Sequence, residues 1–457
     1  MAQLNFRNAT LIGAVLISTM SNSVTANPVI SLDDAIIQAI TNDPWVNGNN
    51  QKYRATLARS SAVATMSDPL VSVSLMNVPV DSMDFNQENM TQLKVGVSQL
   101  LPRGNVLDIK QAKLTTSAQK YPLMQEERKA QLTLNVTHIW LDIYLAQKTI
   151  NLITRDKTLF EQTADVARAS YSSTVGKTRQ QDVIRSQLEL IQLDDRLAVE
   201  YQKLESAIAR LNEWLHVFQD GLHDNKPNFD AIATDIKVTD SLPSIPLRSN
   251  ILSKNKLLSR NSLAQLVSNH PTVRLIDVDQ KVALKDVEIA KEQYKPQWGI
   301  NASYAYRDAM ENGDDRADFF SIGVTFDVPL FTNKRQDKLV SASISDAASI
   351  RTDHLLLTKS LITQIEKEYR NLQRLTQRQQ LYITQLITQT HEQAEASLTA
   401  YTNDDGDFSE VIRARIAELN TQISALNIDI NLLKATARIN YLTTQSLLPY
   451  YPDGWTK

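Results

Sequence analysis

The sequence predicts a mainly α-helical protein that also carries four strands patterned for a membrane β-barrel, one architecture used twice along the chain. Three observations predict it: an internal repeat at a near-constant offset, short segments that alternate apolar and polar residues, and helical stretches too long for a globular domain.

The repeat sets the order of everything else. Asp43-Pro44-Trp45-Val46 recurs as His270-Pro271-Thr272-Val273, an offset of 227. Pro69 maps onto Pro296, Gly96-Val97 onto Gly323-Val324, Pro102 onto Pro329 and Ala169-Ser170 onto Ala396-Ser397 at the same offset. One residue is then gained, so Val183-Ile184-Arg185 matches Val411-Ile412-Arg413 at 228, as Ala207, Ala209, Arg210 and Asn212 match Ala435, Ala437, Arg438 and Asn440. The units that follow are an export signal (1–26), repeat 1 (27–218), a Pro-containing linker with little regular structure (219–260), repeat 2 (261–446) and a tail (447–457). In the signal, Arg7 precedes the apolar run Leu11 to Met20, and Val24-Thr25-Ala26 offers small residues for cleavage.

Each repeat begins with a helix, about Leu32 to Met66 with Ser31 as N-cap and about Ser262 to Gln293. Asp43-Pro44 and His270-Pro271 should interrupt these helices, because Pro lacks a backbone donor and crowds the preceding turn. Strands follow. Phe320, Ile322, Val324, Phe326 and Val328 alternate with Ser321, Gly323, Thr325 and Asp327; Trp298, Ile300, Ala302, Tyr304 and Tyr306 alternate with polar or small residues. In the first repeat Val71, Val73 and Leu75, then Leu93, Val95 and Val97, form the apolar sets. Period two with one apolar face marks a half-exposed strand. A soluble sheet packed on a helix has the same pattern, but lengths of about 9–11 residues also suit tilted strands crossing an outer membrane. On that reading Trp298, Ile300, Tyr304, Phe320, Ile322, Val324 and Phe326 face lipid, and Trp298, Tyr304 and Tyr306 form an aromatic girdle. The connecting loops, Val78 to Met90 and Arg307 to Asp318, are polar and acidic.

Helices resume near Gly104 and Lys334 and run to Ser170 and Ala400, roughly 100 Å at 1.5 Å per residue, with Pro122 placed to kink the first. Turns at Ser172 to Arg179 and Thr402 to Asp407 lead into return helices, Asp182 to Trp214 and Glu410 to Leu442. The narrow stripe Leu132, Val136, Ile139, Ile143 needs neighbouring helices to cover it.

Composition narrows the function classes. A formal charge of −3, from 48 basic and 51 acidic residues with no like-charge block, leaves no footprint for nucleic acid. The chain has no Cys, hence neither disulfide nor lipidated Cys, and only 11 Gly, few for a turn-rich β protein. Val175-Gly176-Lys177-Thr178 lacks the first Gly of a phosphate loop, since position 171 is Tyr, and no strand precedes it. The six His are scattered without metal-ligand spacing, and no catalytic constellation emerges. The expectation is therefore a non-enzyme without cofactor or resident metal. Asp404, Asp405 and Asp407 at the second turn are either a solvated acidic turn or, repeated about an axis, an acidic ring at a tunnel mouth.

An export signal, a twofold repeat, two strands per repeat and very long helical hairpins together resemble the TolC family of outer-membrane efflux proteins. The most similar segments are Tyr171 to Gly176 with Asp182 to Gln187, Ser409 to Ala414, and Ser98-Gln99-Leu100-Leu101-Pro102-Arg103-Gly104. The second turn departs from the family in carrying Asp404-Asp405 where Gly is expected. The resemblance implies a homotrimer in which twelve strands close one barrel in the outer-membrane lipid of a Gram-negative bacterium and the hairpins form a periplasmic tunnel. It implies docking to a periplasmic adaptor protein and an inner-membrane pump through hairpin tips near Gly176, Val183, Arg185, Val411 and Arg413. Four strands alone cannot close a barrel, and an open edge in lipid is forbidden. The loop Asn77 to Thr91 and the Gln99-to-Gly104 junction look most like heavy-metal-cation efflux members; drugs are the other cargo. An exit duct for one-step protein secretion, and a pore-less periplasmic coiled-coil scaffold, are the alternatives.

Overall fold

The computed structural model describes residues 29–172, 180–215, 236–248, 251–253, 256–403 and 406–448. The first repeat comprises β1 (Val29–Ile30), α1 (Leu32–Asn42), α2 (Trp45–Val63), β2 (Leu70–Met76), β3 (Gln92–Leu100), α3 (Val106–Ala118), α4 (Lys120–Ser172) and α5 (Gln180–Leu215). Between the repeats lie short strands β4 (Lys237–Val238), β5 (Leu252–Ser253) and β6 (Lys256–Leu257). The second repeat runs through α6 (Arg260–Val267), α7 (Pro271–Glu292), β7 (Trp298–Tyr306), β8 (Phe319–Phe326), α8 (Gln336–Leu381), a π-helical turn (Tyr382–Leu386), α9 (Ile387–Thr402) and α10 (Phe408–Leu442). The export signal and Gly176 lie outside the described residues, as do Asp404 and Asp405.

Local chemistry explains the breaks. Ser31 caps α1 by accepting from the Asp34 N–H at 3.2 Å while its hydroxyl donates to the Asp34 carboxylate at 2.6 Å. Asp43 ends α1, accepts from the Trp45 N–H at 3.1 Å, and receives Arg128 of α4 at 2.7 and 3.2 Å. Arg128 also lies over the rings of Trp45 and Trp214, so this corner anchors α1 and α2 to the long hairpin. At the equivalent corner His270 caps α7 and Pro271 occupies its first turn, where no intrahelical donor is needed. Pro122 is accommodated the same way: the helix breaks at Gln119, and Pro122 becomes the third residue of a new helix rather than a kink within an old one.

The described part of the interhalf segment contains short strands where little regular structure was expected. β4 pairs in parallel with β1, Ile30 opposite Val238, and β5 with β6 forms a hairpin. Ile236, Val238 and Ile251 are buried. Strands of two residues carry no readable periodicity, so only the tertiary contact fixes them.

The stalk has several small cores in series. One surrounds Trp140 and joins Ile30, Ala39, Val136, Ile143, Leu211 and Val238. A second, toward the α4/α5 and α9/α10 turns, contains Ile153, Phe160, Leu193, Phe408, Ile412 and Leu419. A third packs Leu263, Val267 and Val273 against Leu361, Ile365 and Leu442. All four residues of the stripe Leu132, Val136, Ile139, Ile143 are buried.

His270 is fully buried beside a charge. Its Nε2–H donates to the Tyr441 carbonyl at 3.2 Å, its Nδ1 accepts from the Thr272 N–H at 3.3 Å, and the Glu127 carboxylate lies 3.9 Å from Nδ1. Burial, and then the hydrogen bond its hydroxyl donates to Glu127 at 2.5 Å, push the Tyr441 phenol's pKa up. Burial dominates at His270 and lowers its pKa below the ordinary value, against the pull of Glu127. The unfolded chain therefore binds this proton more readily than the folded one. Stability should be full above about pH 6.5 and decline as pH falls below it, until the folded-state pKa is passed. Thermal unfolding at pH 7.5 and 5.5 should show the loss, and His270→Gln should narrow the gap between the two.

Candidate functional site

The distinctive surface is the four-stranded antiparallel sheet, in the order β2-β3-β7-β8. Its register aligns the two faces across all strands. Val73 opposes Val95, Val95 opposes Tyr304, and Tyr304 opposes Phe320. One step along, Val71, Val97, Ala302 and Ile322 form the next row, and Ile300 with Val324 and Trp298 with Phe326 continue it. The opposite face carries Ser72, Gly96, Ser303 and Ser321 in one row, and Ser98, Asn301 and Gly323 in the next. One face is thus continuously apolar; the other is small and polar through its middle rows, with Leu70, Leu100, Met76 and Phe319 toward its two ends.

Among the described residues nothing covers the apolar face. Phe320 and Ile322 are 71% and 72% exposed, and Trp298, Ile300, Tyr304, Val324 and Phe326 are exposed beside them. All seven residues expected to face lipid share this surface. Trp298 and Tyr306 sit at opposite ends of β7, about 27 Å apart along the strand, so the aromatics mark two levels rather than one. β2 and β8 are shorter than expected, 7 and 8 residues. Each has a single partner in the sheet, which leaves two open edges.

The ends of the sheet are held by arginines. At the helix end, Arg103 forms a two-point ion pair with Asp327, which also accepts from the Gln297 N–H at 2.6 Å. Arg103 also donates to the Lys295 carbonyl at 2.8 Å. Gly104 follows with φ +45°, and a Cβ there would fall 2.1 Å from Glu292 Oε2. At the loop end, Arg307 donates to the carbonyls of Ala317 and Asn89, and Arg316 to those of Asp308, Glu88 and Phe85, binding the two loops into one cap. None of these pairs was visible in the sequence, because partners such as Arg103 and Asp327 are far apart and no local spacing links them.

At the other end of the stalk are the helix turns. Arg185 and Arg413 are exposed, Val183 is half-buried, and Arg413 Nε donates to the Ser409 carbonyl at 3.2 Å. Val411, expected at the docking surface, is not there. It is 1% exposed, on the face of α10 turned into the bundle, so it supports the tip instead of presenting a contact. Among the described residues near the tip, Ile184 is 57% exposed, with Tyr171 and Leu188 also exposed. Asp407 is the N-cap of α10, accepting from the Ser409 N–H and hydroxyl at 3.1 Å each. The close approach at this turn is made at Gly406, where a Cβ would lie 2.7 Å from the Tyr401 nitrogen and 2.9 Å from the Ala400 carbonyl carbon. Gly406→Ala should therefore open the turn at a cost of about 1–3 kcal/mol. Limited proteolysis should cut faster between α9 and α10 while membrane assembly is unchanged.

Among the described residues no group of three or more potential metal ligands is present, and no helix is long and apolar enough to cross a membrane. His138 contacts the Lys434 carbonyl, His354 lies 3.4 Å from Asp277, and His391 pairs with Glu418 at 2.7 Å, each apart from the others.

No protein-family model matches the chain, and no curated protein sequence matches it significantly. Solved structures do. The outer-membrane channel OprN superposes with a TM-score of 0.71 at 13% identity, covering 90% of this chain and 89% of that one. The fold is that of an outer-membrane channel. CusC, described for its transmembrane channel formation, gives 0.71 at 11% identity over 93% and 96% of the two chains. The outer membrane protein VceC of Vibrio cholerae gives 0.68 at 13% over 91% and 96%. The channel fold thus accounts for nine-tenths of the chain, sheet and stalk together.

Proposed function

We propose that this chain is a protomer of a TolC-family efflux duct in the outer membrane of a Gram-negative bacterium, passively conducting cargo handed over by an inner-membrane pump through a periplasmic adaptor protein. The observation that supports it best is the uncovered apolar sheet face with two open edges at one end of a stalk about 100 Å long. In water such a face would aggregate, and in lipid its edges must be closed. Three copies, β8 of each beside β2 of the next, give twelve strands, an even number within the range of such barrels. Two copies would leave little lumen. A pore-less periplasmic scaffold has no use for this surface.

The tips would then meet the adaptor through Ile184, Arg185 and Arg413, with Val183 and Gly176 shaping the first turn. Asp407, with Asp404 and Asp405, would form the acidic ring at the periplasmic mouth, Asp407 doubling as a helix cap. The pump selects the cargo first, whether heavy-metal cations or drugs. The chain extracted from membranes should cross-link as a trimer and conduct ions in planar bilayers; a detergent-free soluble monomer would refute the duct.

A further inference from the structure

Lys94 is the only charged residue in the four long strands, and the register places it on the small, polar face. It stands opposite Ser74 and Ala305, with Gly96 next on its own side, and among the described residues no carboxylate pairs with it. It lies two residues in from Gln92, the first residue of β3, hence about 7 Å from the loop end of the ladder. From these positions we infer that three copies of Lys94 form a cationic ring inside the outer end of the barrel, and that this ring selects anionic solutes, those bearing carboxylate, sulfate or phosphate groups, over free metal cations. The inference rests on the duct reading above.

Dimensions decide whether such a ring reaches what passes through. Twelve strands about 4.8 Å apart and tilted about 40° close a barrel of about 12 Å backbone radius. A lysine stem reaches about 6 Å. The ammonium groups then sit about 6 Å from the axis and about 10 Å from one another, comparable to the Debye length at 0.1 M salt. Their fields overlap on the axis, and no ion crosses this level outside their reach. No opposing charge on the strands offsets them. The acidic turn residues lie at the far end of the stalk and the loops just outside the ring are themselves acidic, so the ring is a cationic level set between two acidic mouths, and free divalent cations meet their barrier at that level.

The test uses the full-length chain in planar bilayers of neutral lipid at 0.1 M KCl, with inorganic tripolyphosphate added to the loop side. Wild type should be blocked at a concentration about tenfold lower than Lys94→Gln, Lys94→Arg should match wild type, and 1 M KCl should erase the difference. If wild type and Lys94→Gln both conduct and are blocked alike, the ring assignment is overturned. If neither conducts, the duct reading itself falls.

Discussion

Val324→Arg should prevent assembly into the outer membrane, and Thr325→Arg should not. Val324 sits in the middle of β8, opposite Ile300, on the uncovered apolar face, and is 59% exposed within the chain. If that face meets lipid, a guanidinium there loses its hydration near the bilayer midplane, at about 2–4 kcal/mol per copy. Thr325 is the adjacent residue on the opposite face, opposite Gly299, whose missing side chain leaves room for a longer one. An arginine there stays in water. Heat-resistant trimers in membrane fractions provide the readout. Equal tolerance of the two substitutions would remove the basis for the barrel.

The second large effect is expected at Trp140. This side chain is fully buried, stacks on Tyr144 with ring centroids 5.7 Å apart, and donates through Nε1–H to the Ile30 carbonyl at 3.1 Å. It thereby joins α4 to the β1/β4 pair, contributed by the start of the first repeat and by the interhalf segment. Trp140→Ala leaves a cavity among Ala39, Ile143 and Leu211 and should destabilise the protein by about 3–5 kcal/mol. Trp140→Phe keeps most of the volume, and the Thr239 N–H still reaches the Ile30 carbonyl at 3.4 Å, so its loss should be closer to 1 kcal/mol. Denaturant midpoints in detergent would rank the two; identical midpoints would show that the site tolerates collapse.

Both predictions draw on features of different legibility. The apolar face of β8 could be read directly, because period-two alternation in Phe320 to Phe326 needs no knowledge of neighbours. So could the helix corners at Asp43-Pro44 and His270-Pro271, where proline chemistry is local. The Trp140 core could be read only in part: the stripe Val136, Ile139, Ile143 announced a buried face, but not that two-residue strands nearly a hundred residues downstream would close over it. The break at Gln119 was displaced from Pro122 because proline is tolerated in a first turn, and the chain makes one there. Nothing in Tyr382 to Leu386 announces a π turn, as it contains neither Gly nor Pro. At the tip, Val411 matched Val183 in sequence but is buried where its counterpart is half-buried, since two copies of one unit need not keep the same neighbours.

The serial cores of the stalk have a mechanical consequence. The cluster around Phe160, Phe408 and Ile412 is separate from that around Trp140 and from that around Leu263 and Ile365. A rod with one continuous core must yield everywhere at once, whereas a rod with separate cores can yield at one station. Hinging near the helix turns then draws only on the free energy of the nearest cluster, and the sheet end stays clamped. Amide exchange would report this as a step in protection along α4, slow around Trp140 and faster beyond Phe160. The same hairpin can thus be rigid near the sheet and compliant near the turns, with the step falling beyond the cluster that holds Ile153 and Phe160.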